Sequence, residues 1–173
     1  MTVVGHIRGG LAHVNVLASL IFAGMSGVAS ADAAGLGRIE LAQMRRAGYE
    51  REFAAALTAI SSVVGPIIPP SVIMVIYAVQ ASVSLTDMFL GGLLPGLLFC
   101  GFLMGTIAIM ANTGRIDVAP EPRADMRRIG QAGLAALPAL LAPAFLLGGL
   151  FLGIATPTEL GAIIAAYAFV LGI

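Results

Sequence analysis

Charged residues cut the chain into five apolar runs, at 9–31, 53–86, 88–114, 129–158 and 160–173. None alternates apolar and polar residues with a period of two, which excludes a β-barrel. Several meet the roughly 20 apolar residues that a helix needs to span a bilayer. The pattern predicts an all-α polytopic membrane protein. Its second run is interrupted: I-S-S-V-V-G-P-I-I-P-P-S-V-I-M, residues 60–74, carries Pro66, Pro69 and Pro70 where a continuous helix would have N–H donors. These prolines cannot bond the carbonyls four residues back, those of Ser62, Gly65 and Pro66. Free carbonyls at membrane depth each cost several kcal/mol unless protein, water or an ion meets them. The run is expected to cross as two half-helices, about 53–64 and 71–81.

Charge changes the reading of the first run. All nine basic residues are arginines, in three clusters: Arg8; Arg38, Arg45, Arg46 and Arg51; and Arg115, Arg123, Arg127 and Arg128. The connections at 82–87 and 155–159 have none, so by the positive-inside rule the clusters are cytoplasmic and the bare connections face the other side. A first run that crossed fully would put Arg8 and the Arg38–Arg51 cluster on opposite sides. A re-entrant helical hairpin keeps both inside. Its first arm, 14–25, has 12 residues, about 18 Å of helix against a core of about 30 Å. The tip falls at 24–30. The second arm runs from near Ser30 to about Ala47, with Arg45 and Arg46 suiting the dipole of its last turn and Gly48 suiting its terminus.

The organisation expected is a hairpin and surface arm at 1–52, a broken helix and a returning helix at 53–112, a polar cytoplasmic connection at 113–131, and further helices at 132–173. The last part crosses at 132–155, turns at Thr156-Pro157-Thr158-Glu159 and starts back at Leu160. The chain stops inside an apolar run and is expected to be an internal piece of a longer protein. Composition agrees with the class: 59% of residues are hydrophobic and 10% charged, against about 25% charged in soluble domains. Zero net charge gives no reason to expect nucleic acid as a partner. The single Cys100 reads as a packing residue.

Hairpin tip and helix break are the two stretches expected to be non-helical at membrane depth, and neither contains a carboxylate. A divalent cation would recruit Asp or Glu, whereas a monovalent one needs only neutral oxygens and helix C-termini. Ser26, Gly27, Ser61, Ser62 and Gly65 are thus candidate sodium ligands; the same small residues also suit close helix packing. Half-helix N-termini near Ser30 and Ser71 are candidates for binding a substrate carboxylate, or plain serine caps. Asp32 lies in a helix first turn, where the dipole favours it, although intramembrane acids also mark ion paths. Asp87 and Glu159 read as solvated or capping residues, and His6 and His13 as headgroup-level anchors. Gly101 and Gly105 have a spacing that permits close helix approach. No hydrolase or other catalytic constellation is present, so no enzyme is expected.

Four blocks carry a resemblance: G-G-L-A-H-V-N-V-L-A-S at 9–19, F-A-G-M-S-G at 22–27, A-D-A-A-G-L-G at 31–37 and G-P-I-I-P-P-S at 65–71. With R-A-G-Y at 46–49, F-A-A-A at 53–56 and T-P-T-E at 156–159, they resemble the large membrane subunit of tripartite ATP-independent periplasmic (TRAP) transporters, the DctM-like permeases. The resemblance implies sodium-driven uptake of organic acids, such as C4-dicarboxylates or sialic acids, across a bacterial cytoplasmic (inner) membrane by an elevator mechanism. It implies a periplasmic substrate-binding protein and a small membrane subunit as partners, sodium as coupling ion and no other cofactor. The family's sodium site maps approximately onto Ser26, Gly27, Ser61, Ser62 and Gly65. The alternatives are another ion-coupled anion permease, or a non-transporting remnant that serves as a membrane scaffold.

Overall fold

The structure is a computed structural model that describes residues 9–116, 118 and 126–171. The described residues form helices joined by short turns, with no strand among them. The elements are α1 (Gly10–Ser26), α2 (Ala29–Ala34), α3 (Leu36–Arg46), α4 (Arg51–Ser61), α5 (Val64–Ile67), α6 (Val72–Ala81), α7 (Leu85–Asn112), α8 (Met126–Phe151) and α9 (Pro157–Leu171). Two stretches are long and apolar enough to cross a membrane, Arg51–Ala81 and Leu85–Asn112. They coincide with the second and third apolar runs. Many of their large side chains, including Ile73, Tyr77, Val79, Leu94 and Phe102, face outward, as lipid or further protein requires.

The hairpin forms. α1 ends at Gly27 with φ 61, a left-handed conformation that glycine adopts without a Cβ clash, and α2 and α3 return along its side. The second arm is not one helix, as expected from the sequence, but breaks at Gly35 (φ −84, ψ −81). The broken helix also differs from its expected halves. α4 stops at Ser61, and the single turn α5 stands between the two longer pieces. Pro66 falls in the first turn of α5, where its missing N–H removes no helical bond. One expected orphan has a partner: the Ser62 carbonyl accepts from the Gly65 N–H at 3.2 Å. Pro69 and Pro70, joined by a cis peptide, then carry the chain to the cap of α6.

α1 lies at the centre, packed against α2, α3, α4, α5, α7 and α8. Its buried face runs through Ala12, Asn15, Val16, Ser19 and Ala23, the spacing of one helical stripe. α4 answers with Ala54, Leu57, Thr58 and Ser61 on its own stripe. Met44, Val64, Ile68, Ile107 and Ala111 complete this core, in which Cys100 is buried as a packing residue and free. The stacked rings of Tyr49 and Phe53, 6.1 Å apart, hold the turn from α3 into α4. α8 and α9 pair with each other and close on Phe89 of α7, with Leu160 seated on Gly149 and the Tyr167 hydroxyl donating to the Pro138 carbonyl at 2.8 Å. Their turn lies at residues 152–156, earlier than expected, because Pro157 already starts α9. The Thr156–Glu159 pair caps it reciprocally. The backbone N–H of Thr156, with its hydroxyl, holds the Glu159 carboxyl below its ordinary range.

Gly101 and Gly105 face open space, so their spacing serves no helix contact among the described residues. Close approach occurs instead at Gly92 and Gly96 on the same helix. A Cβ on Gly92 would lie 2.7 Å from the Ile67 carbonyl oxygen and against Met74, and one on Gly96 would run into Ile68. These glycines seat α7 on the broken helix. Gly92→Ala should therefore lower stability by about 1–3 kcal/mol, the usual scale of overpacking. Gly101→Ala should leave it equal or slightly raised, through helix propensity. Thermal unfolding of the two variants in detergent measures the contrast; equal effects would contradict the assigned contact.

Candidate functional site

The hairpin tip meets the helix break backbone to backbone. A Cβ on Gly27 would collide with the Pro70 carbonyl oxygen and lie 3.0 Å from the Ser71 Cα. One on Gly65 would lie 3.3–3.4 Å from the Val28 and Ala29 backbone. Glycine is thus needed at both positions for space, and at Gly27 for its φ as well. The end of α1 and the short α5 meet at this junction, and the last carbonyls of a helix have no partner within the helix itself. Ser26 adds a half-buried hydroxyl whose two contacts, to the N–H and carbonyl of Val28, are long at 3.4 and 3.5 Å. These neutral oxygens suit a monovalent cation as cargo, the chemistry that the sequence suggested for Ser26, Gly27 and Gly65.

Ser61 and Ser62 are buried, but their hydroxyls point their protons elsewhere. Ser62 Oγ donates to the Thr58 carbonyl at 2.7 Å, which leaves its lone pairs free. Ser61 Oγ donates to Asn15 Oδ1 at 2.8 Å and accepts from Ser19 Oγ at 3.1 Å. It therefore sits at the level of Ser19, seven residues before Ser26 on α1 and about 10 Å below the tip. The structure brings Gly27 and Gly65 together and keeps Ser61 in a separate layer.

That layer is built around Asn15, which sequence reading passed over. Its amide nitrogen donates to Glu40 Oε2 and to Thr58 Oγ1, both at 2.9 Å, while its oxygen takes the Ser61 proton. One side chain so ties α1 to α3 and α4. All five partners, Asn15, Ser19, Glu40, Thr58 and Ser61, are buried. The available signal was a polar residue in the apolar stripe of α1 at helical spacing from Ser19.

The serine caps divide. Ser71 is buried and caps α6, accepting from the Met74 N–H at 3.4 Å. Ser30 is exposed inside α2, whose cap is Val28, so it caps nothing. His13 is no headgroup anchor: it is buried, with Nδ1 3.0 Å from the Gly9 carbonyl oxygen. His6 lies outside the described residues. Asp32 does occupy a first turn, that of α2, but is only 1% exposed, and neither of its oxygens has a hydrogen-bond partner among the described residues. No cluster of three or more His, Cys, Asp or Glu residues exists among the described residues.

Interrupted helices that meet at membrane depth are a recurring feature of transport proteins. The family model for the tripartite ATP-independent periplasmic transporter, DctM component, matches residues 1–173. The chain belongs to this family. It is 45% identical over 172 residues to the sialic acid TRAP transporter large permease protein SiaM of Vibrio cholerae, covering 99% of this chain and 40% of that protein. It is 41% identical over 164 residues to the C4-dicarboxylate TRAP transporter large permease protein DctM of Pseudomonas aeruginosa, covering 95% of this chain and 38% of that protein. It is also 39% identical to the sialic acid TRAP transporter permease protein SiaT of Haemophilus influenzae, covering 27% of that longer protein. The chain thus spans about 40% of the length of the separate large permeases it matches. These relatives are permeases and not enzymes.

Within this DctM-family segment, Asn15 is the side chain whose loss should cost most. Asn15→Ala strips a donor from Glu40 and Thr58 and an acceptor from Ser61, at about 1–3 kcal/mol for each buried group left unmet. The outward-facing Ile73→Ala should change little. Unfolding midpoints in detergent test this; an Asn15→Ala loss no larger than that of Ile73→Ala would contradict the network.

Proposed function

We propose that this segment is part of the large permease subunit of a sodium-coupled, binding-protein-dependent secondary transporter for organic acids of the C4-dicarboxylate or sialic-acid type. The contact of the Gly27 tip with the Gly65–Ser71 break supports it above all. Two interrupted helices that share one neutral, oxygen-rich junction form one wall of a monovalent-ion site. Ser26, Gly27, Ser62 and Gly65 offer oxygens there, and Ser61 anchors the end of α4 from which Ser62 projects. Ser71, at the N-terminus of α6 and against the tip, is the hydroxyl we assign to a substrate carboxylate, on the strength of that helix end alone. The hairpin enters from the cytoplasmic side of a bacterial inner membrane and moves with the broken helix as a transport unit, in an elevator mechanism. A periplasmic binding protein and a small membrane subunit are the partners.

In the assembled permease reconstituted in proteoliposomes, Ser61→Ala with Ser62→Ala should raise the sodium concentration needed for half-maximal uptake about tenfold, the equivalent of about 1.4 kcal/mol. Uptake from a panel of organic acids, with binding protein present, gives the substrate class. An unchanged sodium dependence would remove the serines from the ion site; no uptake of any acid would favour a scaffold.

Orientation has its own check. Arg8→Cys and Gly48→Cys should both react with a membrane-impermeant thiol reagent from the cytoplasmic side, because a re-entrant hairpin begins and ends on one face. Labelling from opposite sides would show that the first run crosses.

A further inference from the structure

Beyond the tip-and-break junction the protein buries a second set of unmet oxygens. Asp32 on α2 is 1% exposed and Glu40 on α3 is 7% exposed. Both oxygens of Asp32 and Oε1 of Glu40 have no hydrogen-bond partner among the described residues. Glu40 Oε2 is held by Asn15, which fixes the carboxyl in place. The elements packed against α3 are α1, α2 and α4. α1 brings Asn15 and His13, the latter engaged with the Gly9 carbonyl. α2 brings Asp32. α4 brings the neutral Thr58 and Ser61 at its buried stripe, while its Arg51 and Glu52 are exposed at its start. The arginines of α3 itself, Arg38, Arg45 and Arg46, are all exposed, and Arg38 Nε donates to the Ala34 carbonyl. No described cation therefore reaches the pair. These carboxyl oxygens are covered by the chain's own atoms, so a group from further protein cannot touch them while the hairpin is packed.

We propose that Glu40, buried beside α2 with one carboxyl oxygen unmet, is a proton-binding site that holds a proton while α2 and α3 are packed on α1 and α4. A proton taken from water removes the charge that Glu40 Oε1 would otherwise keep buried without a partner. It removes one of two like charges from a buried place at no cost in volume. α3 lies outside the two membrane-crossing stretches. There burial first, and then the Asp32 charge, push the Glu40 carboxyl up from its ordinary 4.5 to about 7. Folding therefore takes up a proton between those values, and stability falls as pH rises through that window. Packing of the hairpin arm is thereby proton-linked.

Infrared difference spectroscopy of the purified protein, stepped between acid and base, reads the site directly. The expected signal is a protonated-carboxyl C=O stretch that shifts in heavy water and titrates near pH 7, far above the ordinary glutamate value of 4.5. Glu40→Gln should abolish it, and Asp32→Asn should keep it with a lower midpoint. The melting temperature should fall as pH rises from 4.5 to 7 in the native sequence, and this slope should flatten in Glu40→Gln. A native spectrum with no carboxyl band above pH about 5 would overturn the proposal, since two ionised carboxylates would then need a metal cation. A band that survives Glu40→Gln would overturn it too. So would an Asp32→Asn midpoint identical to the native one, because the Asp32 charge would then have no part in raising the Glu40 carboxyl.

Discussion

Burying an asparagine in the middle of an otherwise apolar helix obliges the neighbouring helices to present partners to it. Asn15 has two donors and an acceptor to satisfy, and it finds Glu40, Thr58 and Ser61 on two different elements. Each bond constrains where α3 and α4 can stand, and Ser61 holds the last turn of α4 just before the break. Apolar surfaces around it slide past one another at little cost. A fork of hydrogen bonds does not slide, which gives the hairpin a defined height against the broken helix. The meeting of Gly27 with Pro70 and Ser71 depends on that height.

Glycine and polar side chains so divide the work along α1. Near its base and middle, polar groups fix register; at its tip, the absence of side chains lets two backbones touch. The oxygens left at the tip are neutral, and the carboxylates are withdrawn into the layer of α2 and α3. The small residues Gly92 and Gly96 then dock α7 against the same break, so the interrupted helix is clamped from both sides.

Much of this was legible from the chain. Apolar runs and the arginine clusters marked the helices, Pro66, Pro69 and Pro70 marked the break, and 24–30 marked the turn of the hairpin. Ser71 as a cap, Cys100 as a packing residue and the Thr156–Glu159 turn followed from local chemistry. Other local patterns misled. Ser30 looked like a cap, yet α2 starts two residues earlier. The Gly101–Gly105 spacing looked like a contact, although Gly92–Gly96 has the same spacing and makes one. His13 looked interfacial because it flanks the base of the hairpin near Arg8, but its own helix start supplies a buried partner, the Gly9 carbonyl.

Sequence by itself determined the class, the helix limits to within a few residues, the two interruptions and the family, because backbone hydrogen bonding in an apolar medium leaves a local trace in composition and proline placement. Only the tertiary structure decided which oxygens share a site. Residues 15, 40, 58 and 61 are far apart in the chain, and nothing local tells Asn15 that Glu40 lies beside it, or that Asp32 is buried rather than lying at a solvated helix start. Those facts follow from the height and rotation at which four helices pack, a property of all their side chains together.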